Sequence, residues 1–314
     1  MNSLATMGAI RIREFGGPEM LRLESVEVPT PGTGELLVKV AAAGVNPVDY
    51  KIRSGRYPAV KQDKLPFVLG REVAGIVVEC GQAASQFCEG DAVFAMPGIG
   101  RGGYAEYAVV KVTEAAPKPA SLDVIQAGAV PLAALTAWQG LFKYGNLKQG
   151  QRLLIHGGSG GVGHFAIQFA KSKGALVTTT VSAPHVEFVR RLGADQVIDY
   201  QAQRFEDLVC DVDLVFDLVG GQIQDRSWQV LKKGGALVST VNEPSKEKAA
   251  ACGVRALRYT VTESGEDLAA IGELIDGGKV KPVVTKIFQL NDAAAAQEFL
   301  EHVHPVGKVV LCVS

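Results

Sequence analysis

The chain lacks any run approaching roughly 18 consecutive apolar residues, and its start, MNSLATMGAIRIREFGG, has no basic segment followed by a long apolar one. A membrane span and a secretory leader are therefore not expected, and the reading is a soluble cytoplasmic protein. Cysteine is scarce and scattered: Cys80, Cys88, Cys210, Cys252 and Cys312 form no C-x-x-C pair and are odd in number. That excludes a disulfide framework and a zinc ribbon, and reduced thiols are expected. An excess of one charge is lacking too. Thirty-two basic residues against 33 acidic ones leave a net charge of −1, with no basic stripe or acidic tail. Nucleic acid and anionic membrane surfaces are poor partners for such a chain, and a small, largely apolar ligand suits it better. Repeats and low-complexity segments are absent, since Ala293–Ala296 is only a strong helix former.

What is present divides the 314 residues near position 125. Before it, short β-like runs (AIRIREF, LLVKVAAAGV, FVLGREVAGIVVE, DAVFAM, YAEYAVV) alternate with turn-rich stretches such as PTPGTGE and GIGRGG, the pattern of a compact, mostly β lobe. After it, strand-like runs (RLLIHG, LVTTTV, QVIDY, VDLVFDLV, GALVSTV, VRALRYT) alternate with helical segments, which predicts a parallel sheet with right-handed crossovers. The end of the chain reads strand, helix, strand, with Asn291 and Asp292 as the helix start. The run VRALRYT, Val254 to Thr260, is expected to be the last strand of the parallel sheet. As an exposed edge it would be covered by a second copy across a two-fold axis, giving a homodimer.

The segment LLIHGGSGGVGHFAIQFAKSKGA, Leu153 to Ala175, places five glycines in the seven positions from Gly157 to Gly163. An apolar strand precedes it and a helix follows, so Gly158, Gly160 and Gly163 satisfy G-x-G-x-x-G in the context that gives the motif meaning. Gly158, Ser159, Gly160, Gly161, Val162 and Gly163 then form a turn in which one glycine allows the bend, one lets a pyrophosphate approach backbone N–H groups, and one lets the helix pack on its strand. NAD-binding sites carry an acid about 20 residues further on to hold the ribose 2′-hydroxyl. Here LVTTTVSAPHVEF has no acid before Glu187, while Thr180, Ser182 and His185 offer neutral partners. NADPH is therefore favoured over NADH.

The strings AAAGVNPVDYKIRSGRYP, FVLGREVAG, GGYAEYAVV, AALTAWQGL, HGGSGGVG, LGADQVIDY and GKVVL occur in the order and approximate spacing of the zinc-independent quinone oxidoreductases of the medium-chain dehydrogenase/reductase superfamily. The chain resembles that family over almost its whole length. The resemblance implies an α/β protein: a GroES-like, mostly β catalytic domain over residues 1–125, rejoined by 283–314, and a Rossmann domain with a doubly wound parallel sheet over 126–282 that binds NADPH. It also implies an active site between the two. Zinc-dependent relatives carry a cysteine where this chain has Asn46 and a histidine where it has Arg71, so no metal is expected. By the same resemblance, Asn46 lies near the nicotinamide ribose, Thr136 near the nicotinamide, and Tyr200 beside the adenosine 2′-phosphate. Val219 and Val241 line the nicotinamide side, with core packing as the rival reading, and Lys308 is undecided.

The implied reaction is reduction of a quinone, or of the C=C bond of an α,β-unsaturated carbonyl compound, by hydride transfer. Charge builds on a carbonyl oxygen, which calls for donors and later a proton. Tyr50, Lys51 and Tyr57 are the candidates, against the plainer readings of a solvated lysine and a packing tyrosine. Two alternatives stay open. One is an enoyl-thioester reductase using Arg53, Arg56 and Lys61 as a basic entrance, and the other is a non-catalytic NADPH-binding protein, crystallin-like or RNA-associated.

Overall fold

The computed structural model describes residues 6–313, so Met1–Ala5 of the chain's start lie outside the described residues. The short β-branched runs of the first third become strands Thr6–Ile12 (β1), Arg22–Glu27 (β2), Glu35–Val45 (β3), Phe67–Val68 (β4), Val73–Cys80 (β5), Ala92–Ala95 (β6), Tyr107–Lys111 (β7) and Ala115–Pro117 (β8). The second part supplies Arg152–His156 (β9), Leu176–Val181 (β10), Gln196–Asp199 (β11), Val212–Asp217 (β12), Leu231–Ser239 (β13) and Arg255–Arg258 (β14), and the tail supplies Val284–Gln289 (β15) and Lys308–Cys312 (β16).

The chain forms two compact units. One holds residues up to 133 together with 263–278 and 282–314, and the other holds 134–262 with 279–281. These bounds differ from the division at 125/126 read from the sequence: residues 126–133 and 263–278 pack with the first unit. A Cβ on Gly265, at the start of the helix Gly265–Asp276, would overlap the carbonyl of Ala115, so that helix lies directly on first-unit backbone.

The first unit contains a small sheet in the order β2-β1-β4 and a larger one in the order β15-β16-β3-β5-β6-β8, with β7 also paired to β3. β16 pairs antiparallel with β3 from Val309 opposite Val45 to Cys312 opposite Ala42, which brings the last residues of the chain back beside the end of β3. Val38, Val40, Val73, Val93, Val110 and Leu311 are fully buried in one core. Each such side chain contributes about 1.5–3 kcal/mol relative to exposure. The helix Ala293–Val303 starts one residue after Asp292, whose side chain makes no cap bond because a 3-10 turn, Leu290–Asp292, leads into the helix.

The second unit is a six-stranded sheet in the order β11-β10-β9-β12-β13-β14, and every pair in it is parallel. Strand order reverses between β9 and β12, the switch point beside which ligands bind in doubly wound sheets. The apolar stripe of the helix Gly163–Ser172 buries Phe165 and Phe169, whose rings stack with centroids 6.0 Å apart. β14 occupies one edge of the sheet. Among the described residues no helix is long and apolar enough to cross a membrane.

Candidate active site

In the second unit β9 ends at His156 and the chain turns at Gly157, whose φ of 82° is one that side-chain-bearing residues avoid. The glycines of the turn are there for different reasons. A Cβ on Gly158 would overlap Thr179 Oγ1, and one on Gly163 would overlap the carbonyl of Gly157, so both are demanded by the protein's own packing. A Cβ on Gly160 would meet only Gly157 O, at 3.7 Å. Nothing in the protein requires glycine at 160, so the bare backbone there is open to a group from outside. The turn leads into the first turn of the helix Gly163–Ser172, where free N–H groups and partial positive charge favour an anion.

Beside this turn, at the end of β10, Ser182 Oγ and Ser159 Oγ both lie within reach of His185 Nδ1, at 3.4 and 3.1 Å. The strand-end residue, the glycine turn and the histidine thus form one polar cluster with no carboxylate among its partners. Tyr200 follows β11 and is 53 % exposed. Thr136 is buried, and its carbonyl accepts the hydroxyl of Tyr259. Val219 is 50 % exposed, which removes core packing as its explanation, and its Cγ2 would lie 3.3 Å from a Cβ on Gly157. Val241 is partly buried after β13.

Beneath these loops the strand register aligns four buried polar side chains: His156, Asp217 and Ser239, which sequence reasoning missed, and Thr180, a candidate strand-end partner that is instead buried against His156. Thr180 pairs with His156, His156 with Asp217, and Asp217 with Ser239. Ser227 Oγ donates to the carbonyl of Ile223 at 2.7 Å, so it must accept from His156 Nε2 at 3.0 Å. That fixes the proton on Nε2 and leaves Nδ1 to accept from Thr180 Oγ1, also at 3.0 Å. Burial lowers the His156 pKa to about 4 against the opposing pull of Asp217, so the ring is neutral at physiological pH.

In the first unit the helix Pro47–Arg53 opens at Asn46, whose side-chain amide is held at both its nitrogen and its oxygen. Its Nδ2 donates to Glu72 Oε1 at 2.7 Å, and its Oδ1 accepts from Lys308 Nζ. Lys308 also donates to Glu72 Oε1 at 2.6 Å and to Val45 O at 3.3 Å, and Glu72 Oε2 accepts from Leu132 N at 2.7 Å. Lys308, a candidate cofactor contact in the sequence, is therefore 2 % exposed and committed to internal acceptors, because β16 carries it into the core beside β3. Gly44 is glycine because a Cβ would overlap the Glu72 carboxylate.

Asp49 is buried on the same helix, accepting from Asn46 N at 2.8 Å and Tyr104 Oη at 2.9 Å. Burial pushes its pKa up to about 6 in spite of those two hydrogen bonds. Tyr50 is half-buried with Arg56 5.8 Å over its ring, and burial followed by the charge of Glu301 raises its pKa. Lys51 is partly buried, and Tyr57 packs against the first-unit core. Arg71 is not available to a ligand: its guanidinium donates to Glu263 at 2.7 Å and Pro97 O at 3.2 Å. Arg53 is likewise buried, held by Gln297 at 2.8 Å and Glu301 at 3.0 Å.

The alcohol dehydrogenase GroES-like domain family matches residues 32–120, and the zinc-binding dehydrogenase family matches residues 192–311. An NADPH-dependent alkenal/one oxidoreductase, chloroplastic, of Arabidopsis thaliana is 38 % identical, over 95 % of this chain and 77 % of that protein. The quinone oxidoreductase of Coxiella burnetii superposes with a TM-score of 0.91 at 37 % identity, covering 98 % of this chain and all of that one (100 %). A mycobacterial protein solved in complex with NADPH superposes at 0.88 with 33 % identity, covering 98 % of this chain and 100 % of its own. The chain belongs to the quinone oxidoreductase family of the medium-chain dehydrogenase/reductase superfamily, with its GroES-like and parallel-sheet Rossmann domains. The zinc of the family description does not fit the residues present. An amide and a guanidinium stand at the two ligand positions, with an ammonium 2.6 Å from the nearby Glu72 carboxylate. Among the described residues no group of three or more His, Cys, Asp or Glu is arranged to hold a metal.

Because Asp49 has a native pKa of about 6 against an ordinary value of 3.8, the folded protein holds its proton more tightly than the unfolded chain across that window. Its contribution is thus a cost, absent below about pH 4 and growing to about 3 kcal/mol above about pH 6. Asp49→Asn keeps one acceptor and removes the titration. Urea unfolding of both proteins at about pH 4 and pH 7 should shift their stability difference by that amount in favour of the variant. A difference that does not change with pH contradicts the assignment.

Proposed function

We propose that the chain is an NADPH-dependent reductase of quinones or of the C=C bond of α,β-unsaturated carbonyl compounds. The observation that carries this is the glycine turn at the sheet's switch point, whose strand-end neighbours are Ser182 and His185 and not a carboxylate. The alkenal/one oxidoreductase and the NADPH-bound structure support the same cofactor.

On this reading Gly158, Ser159, Gly160, Gly161, Val162 and Gly163 hold the pyrophosphate. Ser182, with His185 and Tyr200, takes the 2′-phosphate end, and Thr136, Val219 and Val241 the nicotinamide end. Bound NADPH supplies the hydride for an acceptor carbon. Asn46 offers the remaining lone pair of its Oδ1 to a ribose hydroxyl, and Lys308 acts only by fixing that amide. Lys51, Tyr50 and Tyr57 lie on and just after the helix that Asn46 caps, where they can donate to a carbonyl oxygen as it gains charge. Of the three cations of the enoyl-thioester alternative, Arg53 is buried on Gln297 and Glu301, which removes it from an entrance, while Arg56 and Lys61 are exposed. The cytoplasm and a homodimer joined through β14 complete the proposal.

A panel of p-quinones, o-quinones and enones tests the activity. NADPH should be consumed with at least one class, faster than NADH, and a gel shift with RNA and no turnover would favour the non-catalytic reading instead. Ser182→Asp should raise KM for NADPH about tenfold or more relative to NADH, because a carboxylate repels the 2′-phosphate. An unchanged ratio of the two KM values would remove Ser182 from the site.

Gly160→Val should weaken NADPH binding about tenfold or more with little change in melting temperature, given the open space at that position. Normal affinity in the variant, or collapse of the fold, argues against the assigned role. Sedimentation at micromolar concentration should show a dimer, whereas a monomer would exclude pairing through β14.

A further inference from the structure

Asp217 is the last residue of β12, has zero exposure, and receives four hydrogen bonds from neutral donors. Its Oδ1 accepts the backbone N–H groups of Val219 at 3.0 Å and Gly220 at 2.8 Å. Its Oδ2 accepts Gln224 Nε2 and Ser239 Oγ, each at 2.9 Å. Ser239 ends β13 and in turn accepts the N–H groups of Val241 at 3.1 Å and Asn242 at 3.3 Å. Asn242 closes the arrangement: its Oδ1 accepts Gly221 N and its carbonyl accepts Gln224 Nε2, both at 3.1 Å. Gly220 has a φ of 79°, and a Cβ there would overlap Asn242 Oδ1. One carboxylate therefore ties two strand-end turns into a single unit.

Burying a charge is costly unless donors saturate it, and a turn that needed only to reverse the chain could be closed by neutral groups. Here the charge lies directly beneath Val219, an apolar side chain left half exposed beside the glycine turn. The arrangement fixes the place of exposed atoms at the carboxyl ends of β12 and β13, where ligands of such sheets lie.

We propose that Asp217 is a positioning residue that sets the nicotinamide end of the cofactor site, and that it acts through the Val219–Gly220 and Val241–Asn242 turns without touching the ligand. The inference rests on the NADPH reading above. It separates the two ends of the site: the adenosine end, built from the glycine turn, Ser182 and His185, does not depend on Asp217.

The test compares binding of NADPH with binding of 2′,5′-ADP, which carries only the adenosine end, to the full chain and to Asp217→Asn. Asparagine has the same shape but points an NH2 at one of the two donor pairs, so one turn is released. NADPH affinity should fall about tenfold or more while 2′,5′-ADP affinity stays within about twofold. If Asp217→Asn does not fold, Ser239→Ala keeps the carboxylate and frees only the Val241–Asn242 turn, and NADPH alone should weaken, by about threefold or more. Equal weakening of both ligands would mark a general loosening and overturn the proposal, as would unchanged NADPH affinity. If the wild-type chain binds neither ligand, the NADPH reading fails and takes this inference with it. If it binds both and the variants leave their ratio unchanged, only the role of Asp217 is lost.

Discussion

A carboxylate taken out of water calls for donors held in fixed places, and three such groups, Glu72 and Asp217 with donors on both oxygens and Asp49 with donors on one, organise the loops that matter here. Glu72 gathers Asn46, Lys308 and the backbone of Leu132, and Asp217 gathers two strand-end turns. Asp49 holds the backbone N–H of Asn46 and the Tyr104 hydroxyl, at the start of the helix that carries Tyr50 and Lys51. In each case the apolar strands supply stability, while the buried charge supplies position.

The same constraint explains why zinc has no place at Asn46 and Arg71. A cation is already present next to Glu72 in Lys308, and the Arg71 guanidinium has its own carboxylate in Glu263. Both positions are thus committed to internal partners, and neither offers the anionic or neutral-nitrogen ligand that a zinc site needs.

Much of the fold was legible because glycine and periodicity report on backbone. The turn Gly157–Gly163, the alternation that becomes the six-stranded sheet and the edge position of β14 all follow from local sequence. What escaped depends on packing between distant segments. The amphipathic helix Gly265–Asp276 shows which of its faces is buried but not that it packs on Ala115, so its unit could not be read. Arg53 was offered as part of a basic entrance and Lys308 stood undecided, since nothing local reveals that Gln297, Glu301 and Glu72 are waiting for them. Asp217 did leave a signal, an acid closing the apolar run LVFD, although its partner Ser239 lies more than 20 residues away.

The central claim is that these loops present a reduced dinucleotide for hydride transfer to an activated acceptor. Incubation with an enone and NADPH deuterated at C4 of the nicotinamide, with deuterium on each face in turn, tests it most directly. The account predicts that label from one face only appears at the β-carbon of a saturated ketone. Deuterium at the carbinol carbon of an allylic alcohol, or no oxidation of NADPH by either the enone or a quinone, would contradict it.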